Sequence, residues 1–373
     1  MGIQNYGGLR KKTECNYGEQ MKRDNRIELY RFIFACIIMV FHAHNVNNGQ
    51  GHPIPLGHVF VEFFFFLTGY FTYQNIKKGV SENKIDISVY PFQYTWKKIM
   101  KFYPYIIMTA ISYMLVSIGF SLFQGYLIKK SILEFSGIPF DILLLQITGI
   151  CKNPNFNAWW YLSALFFLLP LVSILFYRKY VRDGVYTYTV YFAPLLIYGA
   201  FAVKINGLDW ETELCGIIRT GLFRGFAGLC VGCLISDAKD RLSKIRLLKA
   251  GKIFVTIVEV GAYTISIIIA WKYNGIENST FLIVLLLIIG LIITFSNQSY
   301  TIYLDKNIFG FLGKISLPLY ICHYSCGRII EKYLVSTNTF ENYIIYYSVS
   351  LGMALCMLLF NRTLLRGTKI GLI

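Results

Sequence analysis

IELYRFIFACIIMVFHAHNV, residues 27–46, is a membrane-length run of mostly apolar side chains that carries an arginine, Arg31, and a histidine, His42. About 20 apolar helical residues cross the hydrocarbon core of a bilayer. Ionisable side chains inside such a run are expensive and are read first as functional. Eleven positions separate the two residues. At 1.5 Å per residue they lie about 16 Å apart, and three turns bring both to nearly the same helix face. The bland alternatives are an Arg31 that snorkels to the headgroups and a His42 that rests at the interface.

The rest of the chain repeats this theme. It has 373 residues, 55% hydrophobic, 17% aromatic and 15% charged, with a mean hydropathy of +0.51. A soluble domain of that length cannot hide so much apolar surface. Apolar runs fall near 27–46, 57–76, 102–124, 158–177, 185–205, 214–235, 253–271, 277–296, 308–330 and 343–361. The expected fold is an all-α integral membrane protein, a bundle of about ten transmembrane helices. The sixth run is the most polar, with Arg219 and Arg224, and Gly313 with Pro318 is expected to break the ninth. No cleavable signal peptide is expected, because the first apolar run has no small-residue cleavage site.

Charge orients the spans. With the N-terminus cytoplasmic, inside segments hold Arg10, Lys11, Lys12, Lys22, Arg23 and Arg26, then Lys77 to Lys101, Arg178 to Arg182, Lys239 to Lys252 and the tail. Outside segments hold none in 47–56, then Lys129, Lys130 and Lys152, then Lys204, Lys272 and Lys332 singly. Positive charge favours the cytoplasmic side, so both termini are expected there. This divides the chain into a basic N-terminal segment 1–26, a membrane domain 27–361 and a tail 362–373. The stretch FDILLLQITGI within 125–157 is only half a span long and reads as re-entrant or interfacial.

The net charge of +16 does not mark a nucleic-acid binder. The basic residues sit between apolar spans, not on one soluble face. Of nine cysteines, most lie in apolar segments and read as small core residues. His44, His52 and His58 cluster near His42, but their spacing matches no familiar zinc pattern, so no metal is expected.

A neutral histidine suits a general base, so His42 is the first catalytic candidate. An arginine suits phosphate, because its planar fork binds bidentately and stays charged. Glu62 follows His58 by four residues, on one helix face, and either orients a histidine, carries a proton or pairs with a buried arginine such as Arg224. Gly69 allows close helix approach.

Arg31 with His42, followed by FVEFFFFLTGY at 60–70, resembles the opening of the acyltransferase-3 family of membrane acyltransferases. NAWWYLSALFF at 157–167 is similar to that family's Trp-Tyr-Leu element, and RGFAGLCVG at 224–232 to its Arg-then-Gly span. FLGKISLPLYICHY at 311–324 resembles its late Gly-x-x-Ser-x-x-x-Tyr-x-x-His signature. The resemblance implies transfer of an acetyl or other short acyl group from a cytoplasmic acyl-coenzyme A to a hydroxyl of a cell-surface polysaccharide or glycolipid, in a bacterial cytoplasmic membrane. No tightly bound cofactor is implied; acetyl-CoA is a co-substrate, and the bilayer is the remaining partner. By the same resemblance, Arg31 and His42 match an essential Arg-x10-His motif, Tyr320 and His323 the late signature, Trp160 the Trp-Tyr-Leu element and Arg224 the sixth-span arginine. The site is then expected to use Arg31, Lys101 and Arg224 for the donor, Trp160 and His58 for the acceptor, and His42, His323, Glu62 and Tyr320 for the chemistry, although many family members have another residue at the position of Glu62. Lys101 stands where the family usually has arginine. Trp160, Tyr320 and Ser316 are the candidate oxyanion donors. No serine is paired with a histidine at a recognisable spacing, which favours direct transfer over an acyl-serine. The alternative is a solute or glycolipid carrier, for which no inverted repeat is visible.

Overall fold

The computed structural model describes residues 24–47, 50–123, 135–150, 154–214, 218–273, 278–334 and 336–367, with Leu214 and residues 364–367 described by their backbone alone. The segments 1–23 and 368–373, Lys129, Lys130, Lys152 and Cys215 lie outside the described residues.

The described residues are mostly helical. In order come α1 (Asn25–Phe41), α2 (Val61–Ser81), α3 (Tyr90–Met100), α4 (Tyr103–Phe123) and a short α5 (Ile138–Ile142). Then follow α6 (Trp160–Tyr180), α7 (Gly184–Lys204), α8 (Gly221–Leu242), α9 (Lys249–Trp271), α10 (Ser279–Ser296), α11 (Asn307–Tyr333) and α12 (Thr339–Gly367). The β structure described is one antiparallel pair, Glu213–Leu214 with Ile218–Arg219.

Among the described residues, eight helices are long and apolar enough to cross a membrane: α1 with its following turn, α4, α6, α7, α8, α9, α10 and α12. The expected ten included α2 and α11. These have the length, at 21 and 27 residues, but more polar sequences: α2 carries Glu62, Gln74, Lys77 and Lys78, and α11 carries Lys314, Arg328, Glu331 and Lys332. Both sit inside the bundle. α2 packs on α8 and α6, and α11 on α1, α12 and α4. A helix screened by protein tolerates polar groups that a lipid-facing helix does not.

Three further expectations change. The sixth span begins at Gly221, not 214, because the strand pair occupies 213–219. α11 is continuous through Gly313 and Pro318, as membrane helices allow when neighbouring groups re-satisfy the backbone. The basic stretch 77–101 contains an unexpected helix, α3, whose exposed Phe92 and Trp96 stand one turn apart. That apolar stripe on a lysine-bearing helix suits a membrane interface. FDILLLQITGI forms only α5 and a single 3-10 turn, Gln146–Thr148. Cys230, Cys233, Cys322 and Cys326 are buried free thiols in the core.

The tightest crossing is α2 on α8. A Cβ on Gly69 would collide with the Leu229 carbonyl, and one on Gly232 with the Phe66 carbonyl and the Tyr70 amide. Small residues let helix backbones approach this closely in membranes. Gly232→Val is therefore expected to cost at least the roughly 1–3 kcal/mol typical of overpacking, because the obstacle is backbone. The check is a fall in midpoint temperature in detergent; an unchanged midpoint would contradict the crossing. At the second close contact, Gly313 of α11 makes room for the Glu28 side chain of α1.

Candidate active site

α1 ends at Phe41, and the chain tightens into a 3-10 turn, His42–Val46. The turn aims His42 into a cavity of about 470 Å³. Its walls come from this turn, the 3-10 turn Gly57–Phe60 before α2, the start of α6, the loop 205–211, the start of α8 and the middle of α11. His42, His44, His52 and His58 line it, and the His323 ring centroid lies 5.2 Å from that of His42. All five histidines of the chain thus converge here. No group of three or more His, Cys, Asp or Glu among the described residues is placed to hold a metal ion.

Three of the histidine nitrogens have no partner. Nδ1 of His42, Nδ1 of His58 and Nε2 of His323 are buried without a hydrogen bond. His323 donates from Nδ1 to the Leu319 carbonyl at 3.1 Å, because a carbonyl can only accept. That bond assigns the tautomer and leaves Nε2 with a free lone pair. Unpartnered buried polar atoms at a cavity are where a ligand makes its hydrogen bonds.

The two sequence elements at 157–167 and 311–324 are bonded to each other. Trp159 Nε1 donates to the Ile321 carbonyl at 2.9 Å, and the Tyr320 hydroxyl donates to the Ala158 carbonyl. Tyr320 lines the cavity, but its proton is committed to the backbone. Ser316 likewise donates to the Gly313 carbonyl at 2.7 Å. Neither hydroxyl is a free oxyanion donor; each holds the late motif in place.

Glu62 resolves among its three expected roles. Its Oε1 takes Arg224 Nε at 2.5 Å and its Oε2 takes the Tyr198 hydroxyl at 2.6 Å, with both charged side chains at most 1% exposed. Glu62 stands behind Arg224 and does not line the cavity. Arg224 itself lies in the first turn of α8, within the cavity wall, because the helix starts later than expected. Nη1 donates to the Leu208 carbonyl and Nη2 to the His58 carbonyl, each at 3.0 Å. Its guanidinium sits 4.9 Å from the Trp160 ring centroid, and Trp160 stacks on Trp210 at 5.6 Å. Arg224 therefore stands beside His58 and Trp160 in the cavity wall, apart from Arg31 and Lys101, with which the sequence reading grouped it for donor binding.

Arg31 and Lys101 lie outside this cavity. Arg31 pairs with Glu28 at 3.1 Å, one turn away, and its side chain stays 29% exposed. Lys98 lies within electrostatic reach of both Arg31 and Lys101. Three cations are thus grouped at the end of α1 remote from His42.

The sequence reading missed Lys98, Tyr198 and the loop 205–211. Lys98 had a signal, since it precedes Lys101 by three residues, one helix turn. The loop brings Asp209, Trp210 and Glu211 to the cavity. Burial and the charge of Asp209 push the Glu211 carboxyl above the usual range. Asp209 is held below it despite burial, by bonds from Thr212 and from backbone N–H groups.

A family model described as "Acyltransferase domain" (Acyl_transf_3) matches residues 24–360. No curated protein and no solved structure matches the chain.

Proposed function

The chain belongs to the acyltransferase-3 family and is a multi-pass membrane acyltransferase, and from that premise we propose that it transfers a short acyl group from acyl-coenzyme A to a hydroxyl of a glycan or glycolipid at His42. The observation that carries the reading is the cavity lined by His42, whose ring packs 5.2 Å from that of His323, each with an unpartnered buried nitrogen. The carrier alternative gives way to the family membership.

The acceptor oxygen attacks the thioester carbonyl as His42 takes the hydroxyl proton. The new C–O bond forms, the C–S bond breaks, and the thiolate leaves to be protonated. His323 accepts a second hydrogen bond at Nε2 and orients the acceptor. Asp209 and Glu211 accept from sugar hydroxyls. Arg224 and Trp160 form the floor on which the acceptor rests, and Glu62 fixes Arg224. The coenzyme's phosphates dock with Arg31, Lys98 and Lys101, and the pantetheine arm spans the roughly 16 Å between Arg31 and His42. Ten spans with both termini cytoplasmic place Arg31 at the cytoplasmic mouth and the cavity outside, in a bacterial cytoplasmic membrane.

Purified protein in nanodiscs, supplied with radiolabelled acetyl-CoA and a free or lipid-linked glycan, is expected to give an ester label that mild base releases. Donor turnover with no ester on any glycan would overturn the acceptor assignment. Arg31→Lys is expected to raise the donor KM and leave the acceptor KM nearly unchanged, because lysine loses the planar fork. Wild-type kinetics would return Arg31 to headgroup snorkelling. For the topology, a cysteine probe at Gln50 should react from outside and one at Ser243 should not; the reverse pattern sinks it.

A further inference from the structure

A second cavity of about 520 Å³ runs between α7, α8 and α10. Its lining is apolar except for Tyr191, Tyr198 and Asn278. On α7 it spans Tyr191 to Ala202, about 16 Å along the helix axis. It opens sideways: Leu195 of its wall is 69% exposed. In a bundle of membrane helices that opening faces lipid.

The groove adjoins the polar cavity along α8 and α10. Val231, Ile235 and Ala238 of its wall follow Arg224 along α8 at offsets of seven, eleven and fourteen residues, which is one helix face. Arg224 lines the cavity above and the other three line the groove below. On α10, Thr280 lines the cavity and Phe281 the groove. Tyr198 is the partition. Its ring lines the groove, and its hydroxyl bonds Glu62, the partner of Arg224. A slot that is polar at one end, apolar for about three turns and open to lipid along its side matches an amphiphile.

Resting on the reading of a glycan or glycolipid acceptor, we propose that this groove holds the hydrocarbon chain of a lipid-linked acceptor, whose sugar head reaches the cavity at His42. The lateral opening argues against a donor acyl chain, because a water-soluble thioester does not enter from within the bilayer. The chain selects acceptors by their anchor, and the cavity selects the hydroxyl.

Gly199 offers the test. It lies in the groove wall, and a Cβ there meets nothing within 4 Å, so Gly199→Trp fills the groove without a clash at its base. Acetyl-CoA is used as donor, since it carries no chain. With a lipid-linked glycan, the KM of Gly199→Trp should rise about tenfold or more, because displacing even two methylenes is worth that much. With the same glycan free of lipid, kinetics should stay within about twofold. Equal effects on both acceptors, or none on either, would overturn the groove assignment while leaving acyl transfer intact. A second arm does not depend on activity. A lipid-linked glycan with a photoreactive chain should label the 191–202 peptide more than a phospholipid with the same chain does. Equal labelling means ordinary bilayer lipid and overturns the proposal. If wild-type protein acylates neither acceptor, the proposed function fails, and the labelling arm still decides the groove.

Discussion

His42→Ala lowers acyl-transfer turnover by roughly 10²–10⁴-fold, the range lost when a positioned general base is removed, while the protein still reaches the membrane. Stability should change little, because Nδ1 of His42 makes no hydrogen bond that the mutation would break. His42 sits in a 3-10 turn at the end of α1, so alanine does not disturb a helix interior. His323 is held differently. Its Nδ1 is tied to the Leu319 carbonyl, so the tautomer and ring orientation are set by α11 itself. His323→Gln keeps a hydrogen-bonding group near that place and should weaken the acceptor's KM more than turnover. Membrane-normalised rates on a labelled glycan separate the two residues. His42→Ala activity within about threefold of wild type, well below the general-base range, would remove His42 from the mechanism.

Arg224→Ala is expected to cost about 3–5 kcal/mol of stability, because it strands the Glu62 carboxylate with only the Tyr198 hydroxyl. The same change releases the Leu208 and His58 carbonyls, which hold the loop 205–211 and the turn before α2 against each other. The double variant Glu62→Leu with Arg224→Met removes both charges at similar volume and should recover much of the lost stability. Activity should not recover with it, because Arg224 lines the cavity beside Trp160. Thermal midpoints with parallel rate measurements provide the check. A double variant with wild-type turnover would reduce Arg224 to a structural clamp.

Much of the architecture was legible in the sequence because a bilayer imposes one rule: long apolar runs are helices. The rule found the helices α2 and α11 as well, but not how much of each is screened by protein. α2 and α11 are more polar than the lipid-facing helices, yet they lie inside the bundle and carry Glu62, Tyr320 and His323. The sequence placed Arg31 and His42 on one helix and grouped His44, His52 and His58 near them. It set His323 level with His42 in the outer half of its span, but could not show that their ring centroids lie 5.2 Å apart, because that contact joins residues 281 positions apart. The Glu62–Arg224 pair was one of several readings of Glu62, and only packing chose it. The start of α8 was set too early because the strand pair at 213–219 precedes it, and no periodicity marks a two-residue strand. The loop 205–211 was passed over as a connection, although its Trp210 stacks on Trp160.

The measurement that bears most directly on the central claim is a structure with coenzyme A bound. The account predicts phosphates beside Arg31, Lys98 and Lys101, and a thiol sulfur within about 5 Å of the His42 ring, since reacting groups must close to about 3–3.5 Å. A thiol more than about 10 Å from His42 with the phosphates seated would contradict direct transfer at this cavity.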